Sequence, residues 1–404
     1  MRAPTAPIAP EHELALLLAG TEALRERHRA RALALTERVE PDALEAFLLR
    51  AGVLSLLGRR LERLVGDALP ADFRARLDAH AAQAQRQGVG QELLTVRLLA
   101  ALGEAGIRAL PLKGPLLGER LHGAAGARIS ADVDLLVAPG ALPRAVDVVC
   151  GLGYRVEPPR EPGDATAPTL HERLVHPDGL PDVELHWRVH WYETRFSTEL
   201  LAESATGADG CLVPRREDEL AMLLLIYARD GFAGLRLACD LAAWWDRYGD
   251  ELGPRGVSAT ATAHPETARA LATATVVAER LVGLPARRVL DPGLLGTASP
   301  PAARLANWPL RGAAGQISAN VSLADWLMAP HGQWSALVRR NVLLSRRELR
   351  SRWPEADAGP LARTRLRLLH AARVISRYAI ATWTLRGGRT WTPLPSSPGA
   401  FDGR

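Results

Sequence analysis

The sequence predicts an α+β fold, with a small mixed-sheet core flanked by N-terminal and C-terminal helical regions. Three observations predict it. Residues 12–105 carry apolar side chains at three- and four-residue spacing, the period of an amphipathic helix. Residues 106–213 switch to short apolar or alternating runs broken by Pro and Gly. Helical spacing then returns after Pro214.

The chain divides accordingly. Residues 1–11 read as a loose leader with three prolines in the first ten positions. Residues 12–105 form the N-terminal helical region, with Pro41-Asp42 starting one helix and Pro70-Ala71-Asp72 separating two others. In the core, 107–112 is a short apolar run ending at Lys113-Gly114, and 116–121 is helix-like. DVDLLV at 132–137 is a strand closed by Pro139-Gly140, and 142–152 is an amphipathic helix ended by Gly153. Short strands follow at 154–157, 172–176 and 183–187, with a Pro- and Gly-rich loop at 158–169 and a turn at Pro177-Asp178-Gly179. That order predicts a mixed sheet with helices on one side. The C-terminal helical domain spans 214–386, with helices at 217–229, 236–248 and 265–282, a Pro- and Gly-broken stretch at 283–333 and Arg-rich helix at 334–385. Residues 387–404 read as a disordered tail.

Composition narrows the function class. The chain has 404 residues, 47% apolar and 24% charged, enough for a sizeable core and incompatible with disorder throughout. Its longest apolar run, 220–228, is too short for a bilayer, which needs roughly 20 residues. The N-terminus lacks the apolar stretch of a secretory signal, so a cytoplasmic location is expected. Cys150, Cys211 and Cys239 follow no metal or disulfide spacing. Of 50 basic residues, only Lys113 is a lysine. The basic excess concentrates between 337 and 390, where 13 arginines face Glu348, Glu355 and Asp357; the remainder is net acidic. Charge therefore does not indicate a nucleic-acid partner, although one remains possible.

The chemistry concentrates between Leu112 and Trp187. Alternation along a strand puts Asp132 and Asp134 on one face, about 7 Å apart, with Val133 and Leu135 turned to a core. Like charges so placed call for a counter-charge, and divalent cations supply it. Glu184, flanked by Val183 and Leu185, is a third acid emerging from a strand, and is preferred over Asp182, which follows Pro181 at the strand start. Three such carboxylates suit a two-metal phosphoryl displacement. Lys113-Gly114, between a strand and a helix, would present a compact cation and backbone N–H groups to phosphate.

The run KG…RISADVDLLV…GLGY…VELHWRVHW resembles bacterial nucleotidyltransferase-family proteins, the uncharacterised nucleotidyltransferase branch of the DNA-polymerase-β-like superfamily. The matching residues are Lys113, Gly114, Arg128, Ser130, Asp132, Asp134, Gly153, Tyr154, Glu184, His186 and Trp187. LRLACDLAAWW at 235–245 resembles a Leu-Arg-x-x-x-Asp-Leu helix of that branch, and SRRELRSRWP at 345–354 its C-terminal segment. The resemblance implies Mg²⁺- or Mn²⁺-dependent transfer of an NMP from an NTP, ATP among them, to a hydroxyl or phosphate acceptor. It implies that Asp132, Asp134 and Glu184 bind metal and catalyse, and that Lys113, Gly114, Arg128 and Ser130 bind nucleotide. Two departures stand out: Pro115 occupies a position usually held by Gly or Ser and has no N–H to donate, and Tyr227 stands where a His often precedes the Leu-Arg helix.

Plainer readings stand beside these. Arg128 is also a structural partner for Asp132, Ser130 a turn residue, and Arg236 with Asp240 a helix-spaced pair. His186 and His190 invite a zinc site but lack the Glu a metalloprotease motif needs, so His186 reads better as a core or supporting residue. The acceptor could be a small molecule, an RNA end, a protein or a peptide. A non-catalytic nucleotide- or partner-binding member of the fold is the first alternative. A DxD glycosyltransferase ranks lower, since strands and helices should then alternate ahead of the DxD, where helical pattern runs for about 100 residues.

Overall fold

The computed structural model describes residues 8–157, 170–207, 210–300, 302–305 and 323–330, scattered positions between 332 and 359, and 360–387. The loop at 158–169, the tail beyond 387 and most of the 345–354 segment lie outside the described residues.

Five helices open the chain: α1 (Pro10–Ala19), α2 (Glu22–Arg27), α3 (Arg29–Thr36), α4 (Pro41–Arg50) and α5 (Leu54–Val65). Proline begins α1 and α4, where its missing N–H costs nothing because no acceptor exists in the first turn. In α1 every residue from Glu13 to Ala19 is buried, so it serves as a hub rather than a surface helix. α6 (Ala71–Glu104) then runs 34 residues to the edge of a five-stranded sheet.

The strands are β1 (Ala109–Pro111), β2 (Asp132–Val137), β3 (Arg155–Val156), β4 (His171–Val175) and β5 (Asp182–His186), in the order β1-β2-β5-β4-β3. The sheet is mixed, as expected: β2 and β5 are parallel and every other pairing is antiparallel. Between β1 and β2 lies α7 (Pro115–His122), and the crossover after β2 carries α8 (Leu142–Gly151). One face of the sheet carries Val133, Leu135, Val137, Val183 and Leu185, sealed by Leu98 and Leu102 of α6 and Ala145 and Val149 of α8. The expectation of helices on one side needs a correction. Leu110, Leu112 and Leu136 join a second apolar cluster shared with the helices, so the opposite face is covered at that end too. Only the half bearing Asp132, Asp134 and Glu184 is left for chemistry.

After β5 come α9 (Phe196–Glu203) and a small hairpin of β6 (Ala205–Thr206) and β7 (Leu212–Val213), none foreseen from sequence. The C-terminal helices follow as α10 (Arg216–Arg229), α11 (Arg236–Tyr248), α12 (Ser258–Ala263) and α13 (Ala268–Val282). The helix expected over 265–282 starts as a 3₁₀ turn at Pro265–Thr267, which a proline at its head allows. Helix Pro360–Gly387 ends the described chain. One apolar cluster runs through α1, α4, α5, α10, α11 and α13, so helices from both ends of the sequence bury their faces against each other. No helix among the described residues is long and apolar enough to cross a membrane.

Candidate functional site

The site grows from two adjacent strands. In the parallel ladder Asp134 is the register partner of Glu184, and Asp132 that of Asp182. Alternation sends Asp132, Asp134, Glu184 and His186 to one face, while their apolar neighbours enter the α6–α8 core. Carboxylate oxygens of Asp132, Asp134 and Glu184 all lie within 4.8 Å of one another. Asp182 shares the face but is engaged by Arg173, Nη2 to Oδ2 2.7 Å, which leaves Glu184 as the third acid.

Local structure fixes each carboxylate. Gln91 of α6 donates from Nε2 to the Asp132 carbonyl at 2.6 Å, anchoring the start of β2. Ser130 donates from Oγ to Asp132 Oδ1, also at 2.6 Å. Asp134, 1% exposed, has Lys113 Nζ 3.2 Å from Oδ2 and His186 Nε2 2.9 Å from Oδ1. The same His186 nitrogen lies 3.2 Å from Glu184 Oε2. Burial alone would raise the Asp134 carboxyl, but Lys113, His186 and Arg229 outweigh it and hold it below the usual carboxylate range. Glu184 behaves alike: burial pushes it up, and His186 and His171 bring it down further. Both acids are therefore anions at neutral pH.

His171, at the start of β4, places Nε2 3.6 Å from Glu184 Oε1, and its ring lies 4.8 Å from that of His186, tilted by 55°. Burial and His186 lower its pKa to about 4 despite Glu184. His171, Glu184 and His186 thus form a second ligand-capable group sharing Glu184 with the first. His190 stands outside both groups; its Nδ1 accepts from the Tyr192 N–H at 3.3 Å.

Lys113 sits where expected, between β1 and α7. Gly114 at φ +103 makes the turn that only glycine tolerates, and Pro115 occupies the first helical position. Arg128 does not pair with Asp132. Its Nε lies 2.6 Å from Asp240 Oδ2 on α11, whose Oδ1 meets His122 Nε2 at 3.0 Å. Arg236 likewise does not pair with Asp240 but donates to the Ile129 carbonyl at 2.6 Å. The two sequence runs RIS and LRLACD, read separately, are one clamp. Glycines make it possible: a Cβ on Gly126 would fall 2.4 Å from the Gln85 backbone N of α6, and one on Gly118 2.7 Å from the Arg128 Cβ.

Glu184 opens onto a cleft of ≈ 620 Å³, a size usual for small-molecule sites. Its wall includes Lys113, His171, Glu184, Arg128, Arg229 and Arg236. A model of the uncharacterised nucleotidyltransferase family matches residues 37–283, more than half of the chain, and spans both strands and the whole clamp. The chain belongs to this family. It is accordingly a nucleotidyltransferase, a transferase of phosphorus-containing groups that takes an NTP. Comparison with curated proteins and with solved structures finds no match.

Sequence reasoning missed His171, Arg229 and Arg236 as site residues. His171 heads a strand of alternating burial, HERLV, which was the available signal. Nothing local marked these two among the chain's 49 arginines.

Proposed function

We propose that the cleft moves an NMP from an NTP to a hydroxyl or phosphate acceptor, using Mg²⁺ or Mn²⁺ in a two-metal arrangement. The carrying observation is the convergence of Asp132, Asp134 and Glu184, within 4.8 Å, beside a cationic wall. The donor set fits hard divalent cations: carboxylate oxygens on a rigid sheet face, with Asp134 shut off from water. Asp132, Asp134 and Glu184 would hold the metal. When bound, it neutralises charge on the attacking and leaving oxygens.

The residues divide the remaining work. An acceptor oxygen forms a bond to the α-phosphorus while the bond to the β-bridging oxygen breaks. The electron pair leaves with pyrophosphate, and the acceptor gives up its proton. Glu184, half-buried and anionic, is placed to take that proton. Lys113, 14% exposed between Asp134 and the cleft, offers its ammonium to the phosphates. Ser130 fixes the rotamer of Asp132. Arg128 acts through the clamp, holding the segment that enters β2.

The test supplies Mg²⁺, each α-³²P-labelled NTP and cell extract to wild type, Asp132→Ala and Glu184→Ala. Label transferred by wild type alone supports the reading. Label transferred equally by all three sinks it, and nucleotide binding without any transfer returns the chain to the non-catalytic alternative.

A further inference from the structure

We propose that the turn joining α10 to α11 is an anion site that takes the pyrophosphate end of the NTP. The inference rests on the nucleotidyl-transfer reading and gives the arginines of the cationic wall a specific task within it. Asp230 to Leu235 reverses the chain between the two helices, and residues on both sides of it, Arg229 and Arg236, line the cleft together with Glu184.

The backbone here is held in an uncommon shape. Gly231 and Gly234 have φ of +65 and +69, and Phe232 has φ +58, the one positive φ for a non-glycine residue among the described residues. A bulky residue in that region is strained and persists only where the surroundings impose it. Phe232 is fully buried against Tyr227, ring centroids 5.1 Å apart, so packing locks the turn.

Three features of this corner favour a polyphosphate. First, α11 is 13 residues long and its N-cap residue, Leu235, offers no capping side chain, so its first-turn N–H groups have no side-chain cap from that residue beside a cleft lined by Gly234, Arg236 and Leu237. Second, Arg128 is 2% exposed, lines the cleft, and has a buried Nη1 with no hydrogen-bond partner; Arg229 Nη1 is in the same state. A buried donor left unpaired is costly, and a phosphate oxygen satisfies it. Third, the charges are not spent. Arg236 bonds a carbonyl and pairs with no carboxylate among the described residues, while Arg229 is only partly offset by Asp230 at 2.9 Å. Glu184 lines the same cleft as these arginines, beside Lys113, which pairs with the buried Asp134. An NTP spanning it would set its α-phosphate at the acids and its departing pyrophosphate at the arginines.

Inorganic pyrophosphate alone is the probe, titrated by calorimetry without nucleotide, acceptor or metal. Wild type should bind it, and Arg236→Gln, at an exposed position whose other contact is the Ile129 carbonyl, should weaken binding about tenfold, the worth of one charge-assisted hydrogen bond, with the melting temperature read alongside. Arg229→Gln should act likewise. Arg247→Gln, an exposed arginine at the other end of α11, should bind as wild type does. Equal affinity in wild type and Arg236→Gln, or no pyrophosphate binding, overturns the proposal. The two readings separate cleanly. Arginine-dependent pyrophosphate binding without label transfer keeps this site and rejects the catalytic reading. Label transfer with an NTP KM unmoved by Arg236→Gln does the reverse.

Discussion

Arg128 and Asp240 form a buried ion pair, Nε to Oδ2 2.6 Å, with neither side chain more than 2% exposed. It ties the segment entering β2 to a helix more than a hundred residues away. Its partners complete the fit: His122 on the other Asp240 oxygen and Arg236 on the Ile129 carbonyl. The acidic strand is thus aimed by the C-terminal helices as well as by its own ladder.

Removing one partner leaves a buried charge uncompensated. Asp240→Ala should cost about 3–5 kcal/mol in urea unfolding, whereas Arg128→Leu with Asp240→Leu should recover most of that loss. An equal loss in the double variant would show that the pair itself is not what the single change breaks.

The same pair sets a pH dependence. Burial raises the Asp240 carboxyl, but Arg128 and His122 bring it to about 2, below its ordinary value of 3.8. A folded pKa below the unfolded one adds stability above the unfolded pKa and loses it as pH falls through the folded one. The stability gap between wild type and Asp240→Asn should therefore hold from neutral pH to about pH 4. It should then shrink by about 2 kcal/mol as pH falls toward 2. A gap that already narrows between pH 7 and pH 5 contradicts this assignment.

Much of the sheet was legible in the sequence, and the reason is periodicity. DVD alternates acid and apolar residues because Val133 meets α6 and α8 while the two acids meet Ser130, Lys113 and His186 on the other face, and the strand lies at Asp132–Val137 as its pattern predicts. α11 likewise begins at Arg236 and ends at Tyr248 as its spacing predicts. Long-range pairing was not legible. Arg128, expected at the nucleotide or as a partner of Asp132 four residues on, meets Asp240 instead of Asp132, because only the folded chain brings α11 alongside. The short α9 and the two-residue strands β6 and β7 are too brief to show a period.

Close backbone approach predicts a sensitive position. Gly126 lies so near α6 that an alanine Cβ would sit 2.4 Å from the Gln85 backbone N, which cannot rotate away. Gly126→Ala should destabilise the protein by about 1–3 kcal/mol and disturb the segment carrying Arg128, visible as lower activity in the folded fraction. Unchanged melting and activity would show that the helix shifts freely.

His186 bridges Asp134 and Glu184 through one nitrogen. His186→Phe keeps the ring and removes the bridge. The metal concentration for half-maximal activity should rise 10–100-fold, roughly the effect of losing a supporting partner at a metal site. An unchanged metal requirement would leave His186 with a packing role only.

Lys113→Arg keeps the charge but replaces a compact ammonium with a wider planar fork beside the buried Asp134. The KM for NTP should rise about tenfold while unfolding stability changes by less than about 1 kcal/mol. Full activity would refute a specific role for the single lysine.

The most direct measurement is transfer of α-³²P label with matched pyrophosphate release, compared between wild type and Glu184→Gln at equal nucleotide occupancy. Glu184→Gln retains the size of a half-buried side chain while removing its charge. The three-carboxylate account predicts stoichiometric label and pyrophosphate from wild type, and a fall of at least about a hundredfold in the variant with nucleotide still bound. Equal rates in the two proteins would contradict it.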